Sequence, residues 1–251
     1  MCSRRTLVWC SMVIFIISST NVFAQKWYSE NFDGFKVEKI DGQENWIFEP
    51  IAGAGRVSPE ISKDIFRGNS GKSLKVISNS MCSKKFPDQG KHKGIQYVSY
   101  FANVEELGAD AVLQNYIGGN NVKWQAAVVF NMKGNLKISA FDGKKGSMQE
   151  TTVSYTLKEW HHVRIVINFD KEIYDVYLNN ELAAEDFTFR GAGQNPSLDW
   201  ITFGLNHPKV IVVYVDDLEV GEGEGEHTEV SPVEKSENKL SLTWSKIKIG
   251  Y

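Results

Sequence analysis

The sequence predicts an all-β protein, an antiparallel two-sheet β-sandwich or jelly roll. Three observations predict it. Short runs rich in β-branched and aromatic residues recur along residues 25–221. Turn signals such as KGN, DGKKG and NN separate them. No segment keeps a 3.6-residue period for three turns, and many short strands within roughly 200 residues close into a sandwich.

In chain order, the first predicted strand is WYSENF (27–32), which opens with aromatic residues. NWIFE (45–49), SLKVIS (73–78) and IQYVSYFANV (95–104) continue the pattern. ADAVLQNYIG (109–118) and VKWQAAVVFNM (122–132) flank Gly118-Gly119-Asn120-Asn121, which reads as a hairpin turn. NLKISAF (135–141) and MQETTVSYT (148–156) lie on either side of DGKKG. HHVRIVINF (161–169) alternates: Val163, Ile165, Ile167 and Phe169 share a face with His161, whereas Trp160, His162, Arg164, Val166 and Asn168 share the other. IYDVYLN (173–179), LAAEDFTF (182–189), DWITFGL (199–205) and VIVVYVDDLEV (210–220) complete the set. NSMCSKKF, around Cys82, reads as a loop or as a segment with a partly buried thiol.

The ends differ in character. Arg4 and Arg5, the apolar run Leu7–Ile17 and the Val22-Phe23-Ala24 cleavage pattern read as a secretory signal peptide over 1–24, with Gln25 as the mature N-terminus. Only Cys82 then remains of the three cysteines, so an internal disulfide is excluded. Without Arg4 and Arg5 the net charge moves from −3 to −5. The absence of a long basic cluster speaks against a nucleic-acid partner. No later stretch is long and apolar enough for a membrane helix. Residues 222–238 are acidic and poor in bulky apolar residues, as in a flexible linker. Residues 239–251 form a short tail with a docking or sorting role, or the stub of a further domain.

Several of these stretches resemble the concanavalin A-like, laminin-G-like jelly rolls of secreted bacterial proteins. The likeness lies in SENFDGF (29–35), Trp46, GNSGKSLKVIS (68–78), EWHHVRIVINFDKEIYDVYLNNELAAEDFTF (159–189) and VYVDDLEV (213–220). Asn180 stands where that family usually has Gly, a minor departure because Asn also tolerates a left-handed turn. The fold hosts lectins, glycan-binding modules, hydrolases, lyases and adhesion domains, so the resemblance implies architecture rather than activity.

Candidate chemistry is sparse. The paired histidines point to opposite faces of their strand and cannot share a metal. His161 reads as a rim or hydrogen-bonded core residue, His162 as exposed beside Arg164, and Trp160 as a core plug. The E-x-D-x-x-E strand of glycosidases on this fold is absent, as are the R-S/T-E-x-R and Q-x-H strands of the lyases. No catalytic residue is therefore assigned. An absence of clustered carboxylates, His and Tyr in the concave groove would argue against an enzyme.

Asp216-Asp217 interrupts an apolar run, and the apolar parity switches across it, from Val213 and Val215 to Leu218 and Val220. A β-bulge at the pair would account for the switch. The resemblance also implies a structural calcium between the first and last strands, held by Glu30 or Asp33 with Asp216 or Asp217. Calcium takes six to eight oxygens, from carboxylates, carbonyls and water.

Sugar recognition needs aromatic faces beside amide or carboxylate groups. Tyr116, Asn120, Asn121 and Trp124 in QNYIGGNNVKWQ, and Trp200 and Asn206 in DWITFGLNHPK, supply both. The leading expectation is a secreted module, extracellular or periplasmic, that binds a polysaccharide or glycoconjugate without catalysis. The alternatives are a glycoside hydrolase or polysaccharide lyase with an unfamiliar active site, and an adhesion module that binds protein.

Overall fold

The computed structural model describes residues 24–48, 57–68, 71–77, 79–86, 93–105, 114–118, 124–130, 135–191, 197–205 and 212–225. Among them are fifteen strands and no helix. The first five are β1 (Gln25–Glu30), β2 (Trp46–Phe48), β3 (Glu60–Ser62), β4 (Ser73–Ile77) and β5 (Ser80–Lys85). Next come β6 (Ile95–Val104), β7 (Gln114–Ile117), β8 (Ala126–Phe130), β9 (Lys137–Asp142) and β10 (Ser147–Ser154). The last are β11 (Trp160–Asn168), β12 (Ile173–Leu178), β13 (Glu181–Thr188), β14 (Trp200–Leu205) and β15 (Val212–Glu222).

All pairings are antiparallel, in two sheets. One runs β13-β12-β11-β6-β15-β4-β3, with β1 also paired to β15; the other runs β10-β9-β8-β7-β14-β5-β2. The inner faces of both contribute to one apolar core, with Val98, Tyr100, Val163 and Ile165 from the first sheet and Val128, Ala140, Ile201 and Phe203 from the second. The expected antiparallel β-sandwich is therefore the observed fold.

Two local features shape the first sheet. Asn179 and Asn180, at φ 51° and 66°, form the two-residue turn between β12 and β13, where Leu178 pairs with Glu181. Both left-handed positions fall on Asn, a residue that accepts them. The second feature is in β15. Its register against β6 shifts between Asp216 and Glu219, and Asp217 sits at φ 47°. The parity switch in the sequence thus corresponds to a real bulge. Before it, β15 pairs with β4 through Val212–Val215; after it, β15 pairs with β1 through Leu218–Glu222. The bulge passes that edge of β15 from one neighbour to the other.

Two strands escape the sequence pattern. β3 is only three residues long. β5 is a fully paired strand between β14 and β2, and the Cys82 thiol is wholly buried in the core instead of lying in a loop. Trp160 is also placed differently. It is buried, but on the outer face of its sheet, where it packs with Phe101 and Tyr214 in a small second cluster.

Candidate functional site

Two of the residues expected to meet sugar come to one end of the seven-stranded sheet. β7 pairs with β14 on one side and β8 on the other. At its end the Gly118 N–H donates to the Trp200 carbonyl (2.9 Å), and the Gln125 N–H donates to the Ile117 carbonyl (3.0 Å). The chain beside Trp124 and the chain at Trp200 therefore both anchor to the same end of β7. Gly118 has φ +75°, and a Cβ there would fall 2.5 Å from the Ser197 carbonyl and overlap the Gln125 side chain. Only glycine lets these three segments approach so closely.

Both indoles are half-buried. The Arg190 guanidinium lies 4.5 Å from the Trp124 ring centre, and Phe141 meets that ring edge-on at 4.8 Å. The Lys85 ammonium lies 4.3 Å from the Trp200 ring centre. The Gln125 Oε1 is buried without a hydrogen-bond partner at this end. The Tyr116 backbone lies in β7, opposite Thr202 and Ala127. Asn120, Asn121 and Asn206 lie outside the described residues.

Three of the acids named for calcium, Asp216, Asp217 and Glu30, have protein donors on their carboxylates, whereas Asp33 accepts through its backbone carbonyl. Asp216 is fully buried; its Oδ2 accepts from the Arg67 N–H and its Oδ1 from the Asp217 N–H, both at 2.9 Å. Asp217 forms a 2.6 Å ion pair with the Arg67 guanidinium. Glu30, across the ladder from Leu218, accepts from the Phe32 N–H at 3.0 Å, and burial pushes its carboxyl above the ordinary value. The Asp33 carbonyl accepts from Lys72 Nζ at 2.6 Å. Among the described residues no three His, Cys, Asp or Glu side chains gather as a metal-binding group.

The bulge borders a feature that the sequence did not reveal. The outer face of the eight-stranded sheet carries a cleft of about 310 Å³. Its floor includes Tyr97, Ser99 and Phe101 from β6 and His162 from β11. Ala24, Lys26, Arg67, Asp217 and Glu219 line it as well. Two ion pairs run along it, Arg67–Asp217 and Lys26–Glu219, each at 2.6 Å. Arg67 also lies over the Phe101 ring, 3.4 Å from its centre.

The two histidines do point to opposite faces, but His162 is not exposed. It is 1% accessible, stacked on Phe101 at 4.7 Å, with Nε2 2.6 Å from Ser99 Oγ. Burial, then Arg164 and Arg67, lower its pKa to about 4. Its Nδ1 is buried without a partner, an arrangement that costs about 1–3 kcal/mol. His161, in contrast, is fully engaged. Asn179 Oδ1 accepts the His162 backbone N–H (2.9 Å), which turns Asn179 Nδ2 toward His161 Nδ1 (3.0 Å). The His161 proton then lies on Nε2, 2.9 Å from the Thr156 carbonyl.

A Ser–His pair at 2.6 Å suggests nucleophilic catalysis, but the surroundings do not tune it for that. A catalytic base works best with a pKa near the working pH and a carboxylate on its far nitrogen. His162 has a pKa of about 4 and no such carboxylate. The arrangement suits a neutral ring that gives or takes one hydrogen bond.

No family model matches the chain, and no curated protein matches it either. Solved structures do. A sialidase superposes with a TM-score of 0.56 at 11% identity, covering 78% of this chain and 18% of that one. This chain therefore spans under a fifth of the sialidase chain. The cellulose-induced protein Cip1 gives a TM-score of 0.59 at 13% identity, covering 78% of this chain and 97% of Cip1. Domain 4 of AbnA, a GH43 extracellular arabinanase from Geobacillus stearothermophilus solved with arabinotriose, gives 0.53 at 16% identity, covering 82% and 96%. At these identities the similarity is one of fold.

Proposed function

We propose that the chain is a secreted, non-catalytic glycan-binding module of the concanavalin A-like, laminin-G-like class. The observation that carries the proposal is that the backbone at Trp200 and the backbone next to Trp124 both hydrogen-bond to the same end of β7, where the buried Gln125 Oε1 has no hydrogen-bond partner among the described residues. Half-buried indoles supply flat apolar faces for sugar C–H groups, and an amide oxygen accepts from a hydroxyl. Arg190 and Lys85 on the indoles are long, flexible side chains that a sugar ring can displace. Tyr116, Asn120, Asn121 and Asn206 are the further residues proposed for this site from the sequence. The fold neighbours support this reading, since their names include a sialidase, a cellulose-induced protein and an arabinanase domain with bound arabinotriose.

Calcium belongs to the proposal only as a structural ion between β1 and β15. It would use Glu30 or Asp33 with Asp216 or Asp217, and would have to take that aspartate from Arg67.

A second reading, a hydrolase or lyase, draws on one observation: Tyr97, His162, Asp217 and Glu219 line a single cleft. One experiment addresses both readings. A glycan array is probed with the full chain, and any glycan bound is then incubated with it. Retention of an intact glycan supports the module; released fragments support the enzyme. No binding by a folded sample overturns the glycan proposal.

A further inference from the structure

We propose that the outer-face cleft between β1, β6, β11 and β15 is a second ligand site, separate from the tryptophan end, and that it takes a single neutral, hydroxyl-bearing sugar ring through His162. Three observations carry this. The first is the cleft itself, about 310 Å³, at the lower end of the range for small-molecule sites.

The second is the unpartnered nitrogen. His162 is almost wholly buried and lines the cleft, and its Nε2 is engaged with Ser99. Nδ1 has no partner. If Ser99 donates to Nε2, Nδ1 carries the proton and needs an acceptor. If Nε2 donates to Ser99, Nδ1 is a lone pair and needs a donor. A hydroxyl serves either tautomer. A carboxylate serves one, an ammonium the other.

The third is the charge balance. The charged side chains of the cleft are Lys26, Arg67, Asp217 and Glu219, two of each sign, joined in two ion pairs, and cleavage before Gln25 would take Ala24 out of the lining. An anionic ligand would have to compete with Asp217 and Glu219 for the two cations, and a cationic one with Lys26 and Arg67 for the two carboxylates. A neutral ligand meets neither penalty, and its hydroxyls can exchange hydrogen bonds with both pairs. Tyr97 and Phe101 supply the aromatic part of the lining. The site lies on the opposite sheet from Trp200, so the two can fill independently.

The test is NMR on the folded full chain, reading histidine ring nitrogens and tryptophan indole N–H signals. The probes are methyl glycosides of neutral sugars and the matching methyl uronates. The expected result is that at least one neutral glycoside shifts the His162 Nδ1 signal, binding at least tenfold more tightly than its uronate. His162→Phe, which keeps a ring against Phe101, should remove that response. Ser99→Ala, which frees Nε2 instead, should change the response without disturbing the indole signals. No movement of the His162 signals by any neutral glycoside would overturn the proposal. So would equal binding of the uronates, or release of methanol, which would make the cleft a hydrolytic site. Indole shifts without His162 shifts would leave the tryptophan site standing and remove this one.

Discussion

His162 Nε2 lies 2.6 Å from Ser99 Oγ, on the outer face of the β6–β11 pairing, while the other ring nitrogen has no partner. This one-sided satisfaction has a consequence for stability. The His162 pKa falls from the ordinary 6.5 to about 4. Between those values the unfolded chain binds a proton that the folded chain does not, so stability rises with pH across the window. The contribution is complete above about pH 6.5 and is lost as pH falls toward 4, by up to about 3 kcal/mol. Denaturant titrations at intervals from pH 7 to pH 4 should show wild type losing more than His162→Phe. Comparing the two removes the opposing effect of Glu30, whose raised pKa favours the folded state as pH falls. Equal losses would mean that His162 titrates normally in the fold.

Arg67 joins three groups: the buried Asp216 through its backbone, Asp217 through its guanidinium, and the Phe101 ring. Arg67→Ala should cost about 1–2 kcal/mol, a modest figure because the ion pair is partly solvated. Arg67→Lys should recover less than half, since an ammonium cannot stack as a planar guanidinium does. Urea denaturation measures both. Full recovery by Lys would reduce the contribution to charge alone.

The Asn179-Asn180 turn holds two left-handed residues, and the Asn179 side chain also ties the turn to β11. Asn180→Ala leaves a non-glycine, non-Asn residue in a left-handed position and should cost about 1 kcal/mol. Asn179→Ala incurs the same strain and also removes the acceptor of the His162 N–H and the donor to His161. It should cost about 2–3 kcal/mol. Thermal melts measure both, and a cost of only about 1 kcal/mol for Asn179→Ala would show that its side chain contributes nothing beyond the strain.

The calcium proposal predicts that chelator lowers the thermal midpoint and that added calcium restores it. Asp216→Asn should abolish the response. An unchanged midpoint would leave both acids to Arg67 and remove the ion from the account.

Locality separates the features that were legible in the sequence from those that were not. The β11–β12 hairpin reads directly, because alternation and the Asn-Asn turn are local signals. The bulge at Asp216-Asp217 reads from a parity switch within one strand. β5 does not, because SMCSKK has few β-branched or aromatic residues; β14 and β2 hold it in place instead. The parity of His162 was right and its exposure wrong, because a residue nearly a hundred positions earlier, Arg67, helps to enclose that face. The cleft was invisible for the same reason. Its walls come from Ala24, Arg67, β6, β11 and β15, and no local pattern announces that they will meet.

Glycan binding at the β7 end is tested most directly by an affinity titration of the full chain with a glycan retained on the array, repeated for Trp124→Ala, Trp200→Ala and the double variant. Each single change should weaken binding about tenfold, or about 1.4 kcal/mol, and the double variant should weaken it about a hundredfold or more. Unchanged affinity in the folded double variant would contradict the placement of the glycan at the β7 end.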